Sequence, residues 1–472
     1  MPSRRRLMIL GLDGAVPDFV FEAYAKDLPN LTRLREQGLW GRLRSTHPPI
    51  TVPAWSVMFT SKNPGKLGIT GFRNLTRGTY DGQWIAFSDR VKEPRLWDLV
   101  GREGRDVIVH GVPQTYPPRP VRGCLTTCFL TPSRDRPWTW PLDLAEEIEA
   151  HLGRPYQFDV ENYRREDKAS LVEDIRAQSR LHYDTAEFLL SSKPWDLFIE
   201  VDMGTDRMHH GLWKLCDPQH RQFPGPNPLQ HAILDYYKEA DARVGRLLQL
   251  AGPDTIVLVV SDHGGKRMDG AINLNDWLVE EGYLVLKEPV TGTTPFDPSL
   301  VDWSRTKAWC LGGYYGRLFI NKMGREPEGI VTEGEYEGLR SELIARISAI
   351  PDDQGRKLDT RVVRPEDVYT GPHVQDAPDL LVYFGDLHWR AHQGLGNASL
   401  WSHETEIGPD DATHDWDGVF ILHDPARPGR GRELKGLDLR DVTPIALELL
   451  GLPIPNDLEG RSLSTLLTSV SP

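Results

Sequence analysis

The chain has 472 residues and an acidic balance, with 55 lysines and arginines against 68 aspartates and glutamates and a formal net charge of −13. This length allows a large buried core, and the negative charge argues against stable binding to nucleic acid, which depends on a basic surface. Four cysteines do not make a disulfide framework in so long a chain, and no apolar run reaches the length of a membrane span. We expect a cytoplasmic protein, and the sequence leaves its oligomeric state open.

Six short segments are almost continuously apolar, and stretches with helical spacing, such as 229–250, lie between them. Apolar segments of this kind are typical of strands in a sheet that is covered on both faces. They are residues 7–12, 107–112, 197–201, 255–260, 380–384 and 419–422. We predict an α/β fold with a three-layer α/β/α core, a mostly parallel central sheet and functional residues at the carboxyl ends of its strands.

Two regions do not follow this alternation of strands and helices. Residues 113–165 are rich in proline and arginine, and residues 289–371 carry strand signals of their own. We interpret the second region as an inserted smaller subdomain near the functional site. The prediction is thus a core whose first part is 1–288, an insertion at 289–371 and a last core part at 372–472.

Acidic and imidazole side chains follow two of the predicted strands directly. Asp13 comes after the first strand, and Asp262 and His263 come after the strand at 255–260. Adjacent side chains such as Asp262 and His263 can reach one metal ion only where the backbone is not helical. For Asp13 alone, a turn or a helix cap is the competing interpretation.

Thr51 precedes an apolar segment with helical spacing, and Pro53 fits the first turn of such a helix. The pattern predicts Thr51 as the residue that caps the helix. A cap that only satisfies backbone donors is one interpretation. The other is a nucleophile, because a helix N-terminus and a metal ion would together stabilise an alkoxide and the phosphate that it attacks.

Asp206 and His210 are four residues apart, which places both on one face of a helix where they could bind one ion. Asp202 and His209 are local alternatives, and a surface ion pair is common at this spacing. The third ligand could come from His414, just before the last predicted strand, and His403 competes with it.

These segments together resemble the alkaline phosphatase superfamily, in its type I phosphodiesterase and nucleotide pyrophosphatase branch. The similarity extends to a bacterial group described only as predicted phosphohydrolases or phosphomutases. The motifs that carry it are GLDG (11–14), PPITVPAW (48–55), NPGKLGI (63–69), TDR (205–207), SDHG (261–264), TH (413–414), LRDVTP (439–444) and EGRSL (459–463).

The resemblance implies two divalent metal ions and a threonine nucleophile. One ion would be held by Asp13, Thr51, Asp262 and His263, and the other by Asp206, His210 and His414, with Thr51 between them. Mixed imidazole and carboxylate ligands suit zinc best and also accommodate manganese. In-line displacement would pass through a phosphothreonine intermediate, which water then hydrolyses.

One departure from the family pattern bears on the substrate. The nucleotide pyrophosphatases have a Thr-x-Pro-Asn run whose asparagine binds a phosphate oxygen, and here Ala54 and Trp55 follow Pro53. The backbone N–H of Thr51 or Val52 could take over that contact, and nucleotide specificity stays open. No arginine follows Thr51 at the spacing that the sulfatase branch uses, so sulfatase activity is not expected.

Charge favours a diester substrate. Three carboxylates and one alkoxide balance two divalent ions, so the site would accept a diester monoanion, whereas a monoester dianion would need a further cation. The sequence offers five candidates for that cation: Lys62, Lys66, Arg73, Lys266 and Arg267. We predict a phosphodiesterase acting on a small phosphoester, nucleotides included. The alternatives are a phosphomonoesterase or phosphomutase with the same two-metal site, and a metal-binding protein without turnover.

Residues 309–317 are the predicted contact to the leaving group. Their glycines allow close approach, and Tyr314 and Tyr315 could stack or hydrogen-bond. A small core that contains both tyrosines is the alternative.

Overall fold

Continuously apolar strands build the core of the central sheet in the described chain, which is residues 4–404 and 408–468 of a computed structural model. Ten strands of that part pair in it: Leu7–Leu12, Leu39–Arg44, Val107–His110, Gly123–Thr126, Thr139–Trp140, Leu197–Asp202, Ile256–Val260, Asp417–His423, Arg432–Glu433 and Leu437–Asp438. The first strand lies at the centre and pairs in parallel with Leu197–Asp202 on one side and Ile256–Val260 on the other. Asp417–His423 runs antiparallel between Ile256–Val260 and Leu39–Arg44, so the sheet is mixed and mostly parallel.

Both faces of this sheet are buried. Leu7 and Ile9 belong to one hydrophobic cluster, whereas Met8 and Leu10 belong to a second cluster on the opposite face. Because successive side chains of a strand point to opposite faces, this division requires helices on both sides. The predicted three-layer α/β/α core is confirmed.

Helices occupy both outer layers and the edges of the molecule. The α-helices of the described residues are Pro29–Gln37, Thr51–Thr60, Pro64–Leu67, Leu96–Arg102, Leu144–Leu152, Lys168–Ser192, Gly204–Cys216, Ala232–Ala251, Leu274–Glu280, Glu333–Ser348, Pro365–Val368, Val442–Leu450 and Leu463–Thr468. None of these helices, across the described residues, combines the length and the apolar character that crossing a bilayer requires.

A smaller antiparallel sheet lies outside the central one. Its strands, in spatial order, are Ala308–Leu311, Gly316–Ile320, Leu380–Tyr383 and Arg361–Val363. The apolar segment at 380–384 was predicted as a strand of the central sheet, and this prediction is wrong. A fully buried strand has the same apolar pattern in either sheet, so the pattern does not tell which partner it joins. The division of the chain at 289 and 371 stays a prediction.

Short pairings elsewhere connect distant parts of the chain. Gly264–Arg267 pairs with Ala412–Asp415, and Gly270–Asn273 lies between Trp389–His392 and Trp401–Ser402. Arg73–Leu75 pairs with Gln83–Ile85. The first of these pairings lies directly beside the candidate site.

Candidate metal centre

Two neighbouring central strands end at the same edge of the sheet and bring three predicted residues together. Asp13 follows Leu7–Leu12, and Asp262 and His263 follow Ile256–Val260. Because the two strands are parallel neighbours, their carboxyl ends coincide. One ligand atom from each of the three side chains lies within 4.8 Å of the others, and all three residues are buried. They form a group that could hold a metal ion.

A second group consists of Asp206, His210 and His414, whose ligand atoms also lie within 4.8 Å of one another. The helix Gly204–Cys216 presents Asp206 and His210 on one face, with His210 Nε2 at 3.2 Å from Asp206 Oδ1. His414 arrives through strand pairing, because it lies opposite Gly265 in the antiparallel ladder. His414 Nε2 is 3.7 Å from Asp206 Oδ1.

Thr51 lies beside the first group. Its Oγ1 is 3.4 Å from Nε2 of His263, and its side chain is buried. Thr51 was predicted as the cap of its helix, but the structure makes it the first helical residue and gives the cap position to Ile50, whose backbone is extended. The backbone N–H groups of Thr51 and Val52 have no hydrogen-bond partner among the described residues. Pro53 has no N–H to offer, so these two donors remain for an anion.

The three imidazoles present the same ring nitrogen, Nε2, to the ligand groups. In each ring Nδ1 has a hydrogen-bond partner outside the two groups, which leaves Nε2 to face the neighbouring ligand atoms. The partners are the carbonyl of Gly264 for His263 at 2.9 Å, the carbonyl of Pro49 for His414 at 2.8 Å and Oδ1 of Asp410 for His210 at 2.7 Å. Burial lowers the pKa of His263 to about 4, so its ring is neutral at pH 7.

Two carboxylates each have one oxygen held and one oxygen unpaired. Trp55 Nε1 donates to Oδ2 of Asp13 over 2.6 Å, and the backbone N–H of Gly14 donates to Oδ1 of Asp262 over 3.2 Å. Asp13 Oδ1 and Asp262 Oδ2 are buried and have no hydrogen-bond partner in the described part of the chain. Burial raises the pKa of both carboxyls, and each is raised further by a neighbouring carboxylate. Crowded, unpaired carboxylate oxygens of this kind fit a divalent cation.

The second group has its own charge partners. Burial alone would raise the pKa of Asp206, but His210 and Arg207 beside it hold that pKa well below its usual range. Burial alone would lower the pKa of His210, but the carboxylates of Asp410 and Asp206 raise it to about 9. Arg207 Nη1 donates to Asp206 Oδ2 over 2.7 Å, which leaves Oδ1 for the imidazoles.

The local alternatives to these residues lie in other surroundings. The side chain of His403 is 42% exposed and does not belong to either group. Asp202 accepts from the hydroxyl of Tyr236 at 2.7 Å, and His209 Nε2 lies 3.2 Å from the hydroxyl of Tyr237. Both are buried: Asp202 connects the strand Leu197–Asp202 to the helix Ala232–Ala251, and His209 connects the helix Gly204–Cys216 to that same helix.

Four of the five cations suggested for a monoester form ion pairs outside the two ligand groups. Arg73 is exposed. The other four form ion pairs: Lys62 with Asp457 at 2.7 Å, Lys66 with Glu459 at 3.0 Å, Lys266 with Asp415 at 2.9 Å and Arg267 with Asp269 at 2.7 Å. None of these partners belongs to the two ligand groups.

The structure separates the two tyrosines that the sequence grouped. The ring of Tyr314 stacks on His414 with centroids 4.3 Å apart, so Tyr314 lies at the second group. Tyr315 is buried in a small hydrophobic cluster and donates to the carbonyl of Thr70 over 2.6 Å. Tyr315 is thus a member of the small core, and Tyr314 packs against that core while its ring also reaches the second group.

Sequence reasoning missed several side chains that surround the ligand groups. Asp410 holds His210, and Arg164 and Arg390 both donate to Asp410. The contact between the indole of Trp55 and Asp13 was also not predicted.

Comparisons with known proteins agree with this architecture. The chain is similar to murine ectonucleotide pyrophosphatase/phosphodiesterase 5, solved as an inactive variant with AMP, at 13% identity and a TM-score of 0.54, with 99% of each chain covered. It is also similar to phosphonoacetate hydrolase from Sinorhizobium meliloti 1021, solved with phosphonoformate, at 17% identity and a TM-score of 0.57, with 95% of each chain covered. At these identities the likeness shows the fold. A comparison with curated protein sequences gives no significant match.

The sequence also matches a family over most of its length. The model of the type I phosphodiesterase/nucleotide pyrophosphatase family matches residues 7–417. This range includes every residue of the two ligand groups and Thr51. The chain belongs to the type I phosphodiesterase/nucleotide pyrophosphatase family of the alkaline phosphatase superfamily, a family of metal-dependent phosphoester hydrolases.

Proposed function

We propose that this protein is a two-metal phosphodiesterase that cleaves a small phosphoester through a phosphothreonine at Thr51. The observation that carries the proposal is the position of Thr51 Oγ1, 3.4 Å from His263, beside two buried groups of metal-competent side chains. A hydroxyl at a helix N-terminus next to two such groups is suited to attack phosphorus.

The proposed ligand sets follow the two groups. Asp13, Thr51, Asp262 and His263 would hold one ion, and Asp206, His210 and His414 would hold the other. The carboxylate and imidazole donors favour zinc and also accommodate manganese. When bound, the ions would lower the pKa of the Thr51 hydroxyl and offset charge on the phosphoryl oxygens.

The chain itself would position the reacting atoms. Thr51 Oγ1 would form a bond to phosphorus while the bond from phosphorus to the leaving oxygen breaks, and water would then break the new bond to Thr51. The unpaired N–H groups of Thr51 and Val52 support contact with a phosphoryl oxygen at the helix N-terminus. Burial of Thr51 keeps bulk water from its hydroxyl.

Charge supports a diester over a monoester. Two divalent ions would neutralise the three carboxylates and the Thr51 alkoxide, four of the five suggested extra cations are paired elsewhere, and the fifth, Arg73, is exposed. We also propose that residues 289–371 form an inserted subdomain. Its position near the site is supported by Tyr314, which lies in this range and stacks on His414.

The test compares two aryl substrates after the purified protein has been loaded with zinc or manganese. We expect bis-4-nitrophenyl phosphate to be hydrolysed faster than 4-nitrophenyl phosphate, with two ions bound per chain by elemental analysis. Faster turnover of the monoester would favour a phosphomonoesterase or a phosphomutase. Two bound ions without turnover of either substrate would contradict the catalytic proposal.

A further inference from the structure

Two arginines and a tyrosine converge on one buried carboxylate beside the second ligand group. Oδ2 of Asp410 accepts from Arg164 Nε at 2.9 Å, from Arg390 Nη1 at 3.0 Å and from the hydroxyl of Tyr314 at 3.2 Å. Arg164 Nη2 also donates to the Tyr314 hydroxyl over 2.7 Å. The other oxygen of Asp410 is engaged by His210. We call Arg164, Arg390, Tyr314 and Asp410 the arginine cluster.

The arginine cluster carries more positive than negative charge. Two guanidinium groups face one carboxylate, and that carboxylate is already shared with His210. Arg390 is only 5% exposed, and its Nε is buried without a hydrogen-bond partner among residues 4–404 and 408–468. Arg340 has the same unpaired Nε but faces two carboxylates, so the distinguishing feature of the arginine cluster is its excess of positive charge. The cluster thus has both the charge and the free donor that an oxyanion would use.

The position of the cluster relative to Thr51 indicates which part of a substrate it would meet. Thr51 lies next to His263, whose ring stacks on His414 at 3.8 Å between centroids. The ring of Tyr314 also stacks on His414, and its centroid is 5.0 Å from the centroid of the His210 ring. In an in-line displacement the leaving oxygen lies opposite the attacking oxygen. The arginine cluster is thus separated from Thr51 by the rings of His263, His414 and Tyr314, as a site for the leaving group would be.

We propose, on the basis of the proposed phosphodiesterase function, that Arg390 and Arg164 bind an oxyanion on the leaving alcohol. The substrate is then a phosphodiester whose leaving group carries a carboxylate or a further phosphate-like group. Tyr314 lies between His414 and the two guanidinium groups: its ring stacks on His414, the guanidinium of Arg390 lies over that ring, and its hydroxyl accepts from Arg164. Asp410 holds both arginines in place and acts on the substrate only through them.

Paired chromogenic diesters test this proposal in the metal-loaded protein. Methyl 4-nitrophenyl phosphate has a leaving group without a charged substituent, and methyl 3-carboxy-4-nitrophenyl phosphate carries a carboxylate there. We expect Arg390→Gln to reduce the preference in kcat/KM for the carboxylate substrate by about 10- to 100-fold, the effect of losing a charge-assisted contact. The difference in chemical reactivity between the two phenols cancels when the preference of the variant is divided by the preference of the wild type. Arg390→Lys should restore part of the preference.

A matched control and a binding experiment separate this role from a structural one. Arg340 is also buried and ion-paired, with Glu366, but lies on the helix Glu333–Ser348 outside the cluster, so Arg340→Gln should keep the wild-type preference. In binding titrations 3-carboxy-4-nitrophenol should bind more tightly than 4-nitrophenol, and Arg390→Gln should remove that difference. A parallel titration with 3-phosphono-4-nitrophenol identifies which oxyanion the site favours.

The outcomes distinguish the inference from the function on which it rests. Equal losses on both diesters in Arg390→Gln, or equal binding of all three phenols to the wild type, would overturn the inference and leave the phosphodiesterase intact. Absence of wild-type turnover on either diester would overturn both. If the melting temperature shows that Arg390→Gln does not fold, Arg164→Gln carries the same expectation, and an unchanged preference in that variant overturns the inference.

Discussion

The indole N–H of Trp55 donates to Oδ2 of Asp13 over 2.6 Å, and Trp55 lies one helical turn after Thr51 on the same helix. One helix therefore carries the candidate nucleophile and the residue that orients a candidate metal ligand. Trp55 also accounts for the glycine at position 11, because a Cβ there would lie 2.6 Å from the indole ring. The run after Thr51 has Ala54 where Thr-x-Pro-Asn has its asparagine, and the next residue, Trp55, holds a carboxylate.

Replacing Trp55 with phenylalanine should weaken metal binding. The variant keeps most of the apolar contact but leaves Asp13 without its donor, and losing such an outer contact lowers metal affinity by about 10- to 100-fold. Calorimetric titration of the metal-free protein with zinc measures this. Trp97→Phe, in the same hydrophobic cluster, is the matched control and should bind zinc as the wild type does. Equal affinities for Trp55→Phe and wild type would contradict the role assigned to the indole.

Thr51→Ala should abolish turnover while the protein keeps its fold and most of its bound metal. Thr51 is the first residue of its helix and makes no capping hydrogen bond, so the loss of stability should be about 1 kcal/mol or less. Activity on bis-4-nitrophenyl phosphate and metal content are measured on the same preparation. Thr51→Ser retains a hydroxyl and should keep measurable turnover. Activity of Thr51→Ala near that of the wild type would refute the nucleophile.

Asp262→Asn and His414→Ala should each remove about one ion per chain, from different groups. Each substitution deletes one donor of a separate set of buried ligand atoms. Elemental analysis after dialysis measures the occupancy, and the double variant should lose about two ions. His403→Ala is the control, because His403 is largely exposed and outside both groups. Loss of metal in His403→Ala with full occupancy in His414→Ala would reverse the assignment of the last ligand.

The two neighbouring tyrosines should respond differently to replacement by alanine. Tyr315 is 3% exposed, so Tyr315→Ala should lower the free energy of unfolding by about 3–5 kcal/mol. Tyr314 is half-buried against His414, so Tyr314→Ala should reduce the free energy of unfolding less than Tyr315→Ala does. It should change turnover and the preference among leaving groups more than Tyr315→Ala does. Urea unfolding and steady-state kinetics measure both effects. The same stability loss and the same kinetic change in both variants would contradict the separation of their roles.

Because of Asp379, the free energy of unfolding should decrease as the pH falls in the acid range. Burial alone would raise its pKa, but Arg77 and Arg325 lower it to about 2 from a usual value of 3.8. Because the folded-state pKa is the lower one, the stabilisation is complete above about pH 4 and is lost as the pH falls towards 2. Asp379→Asn should therefore cost about 3–5 kcal/mol at pH 7 and about 2 kcal/mol less than that near pH 2. Urea unfolding at several pH values tests this, with the exposed Asp254→Asn as the control.

Local patterns in the sequence predicted the frame of this protein. Buried strands are continuously apolar, so Leu7–Leu12 and Ile256–Val260 could be located, and the acids that follow them could be assigned to the carboxyl edge of the sheet. The helical repeat likewise placed Asp206 and His210 on one face. These features depend on the period of the backbone and on runs of apolar residues, and both can be seen within a short stretch of sequence.

The tertiary structure alone decided what surrounds that frame. His414 reaches the second ligand group because Gly265 pairs opposite it in a short ladder, and Leu380–Tyr383 joins the smaller sheet through pairing with Gly316–Ile320. Asp410 and Arg164 meet although they are 246 residues apart in the chain. Such contacts leave no periodic trace in the sequence, because they arise when segments far apart are packed together. The strand ends and the helical face were therefore predictable, whereas the arginine cluster required the folded chain.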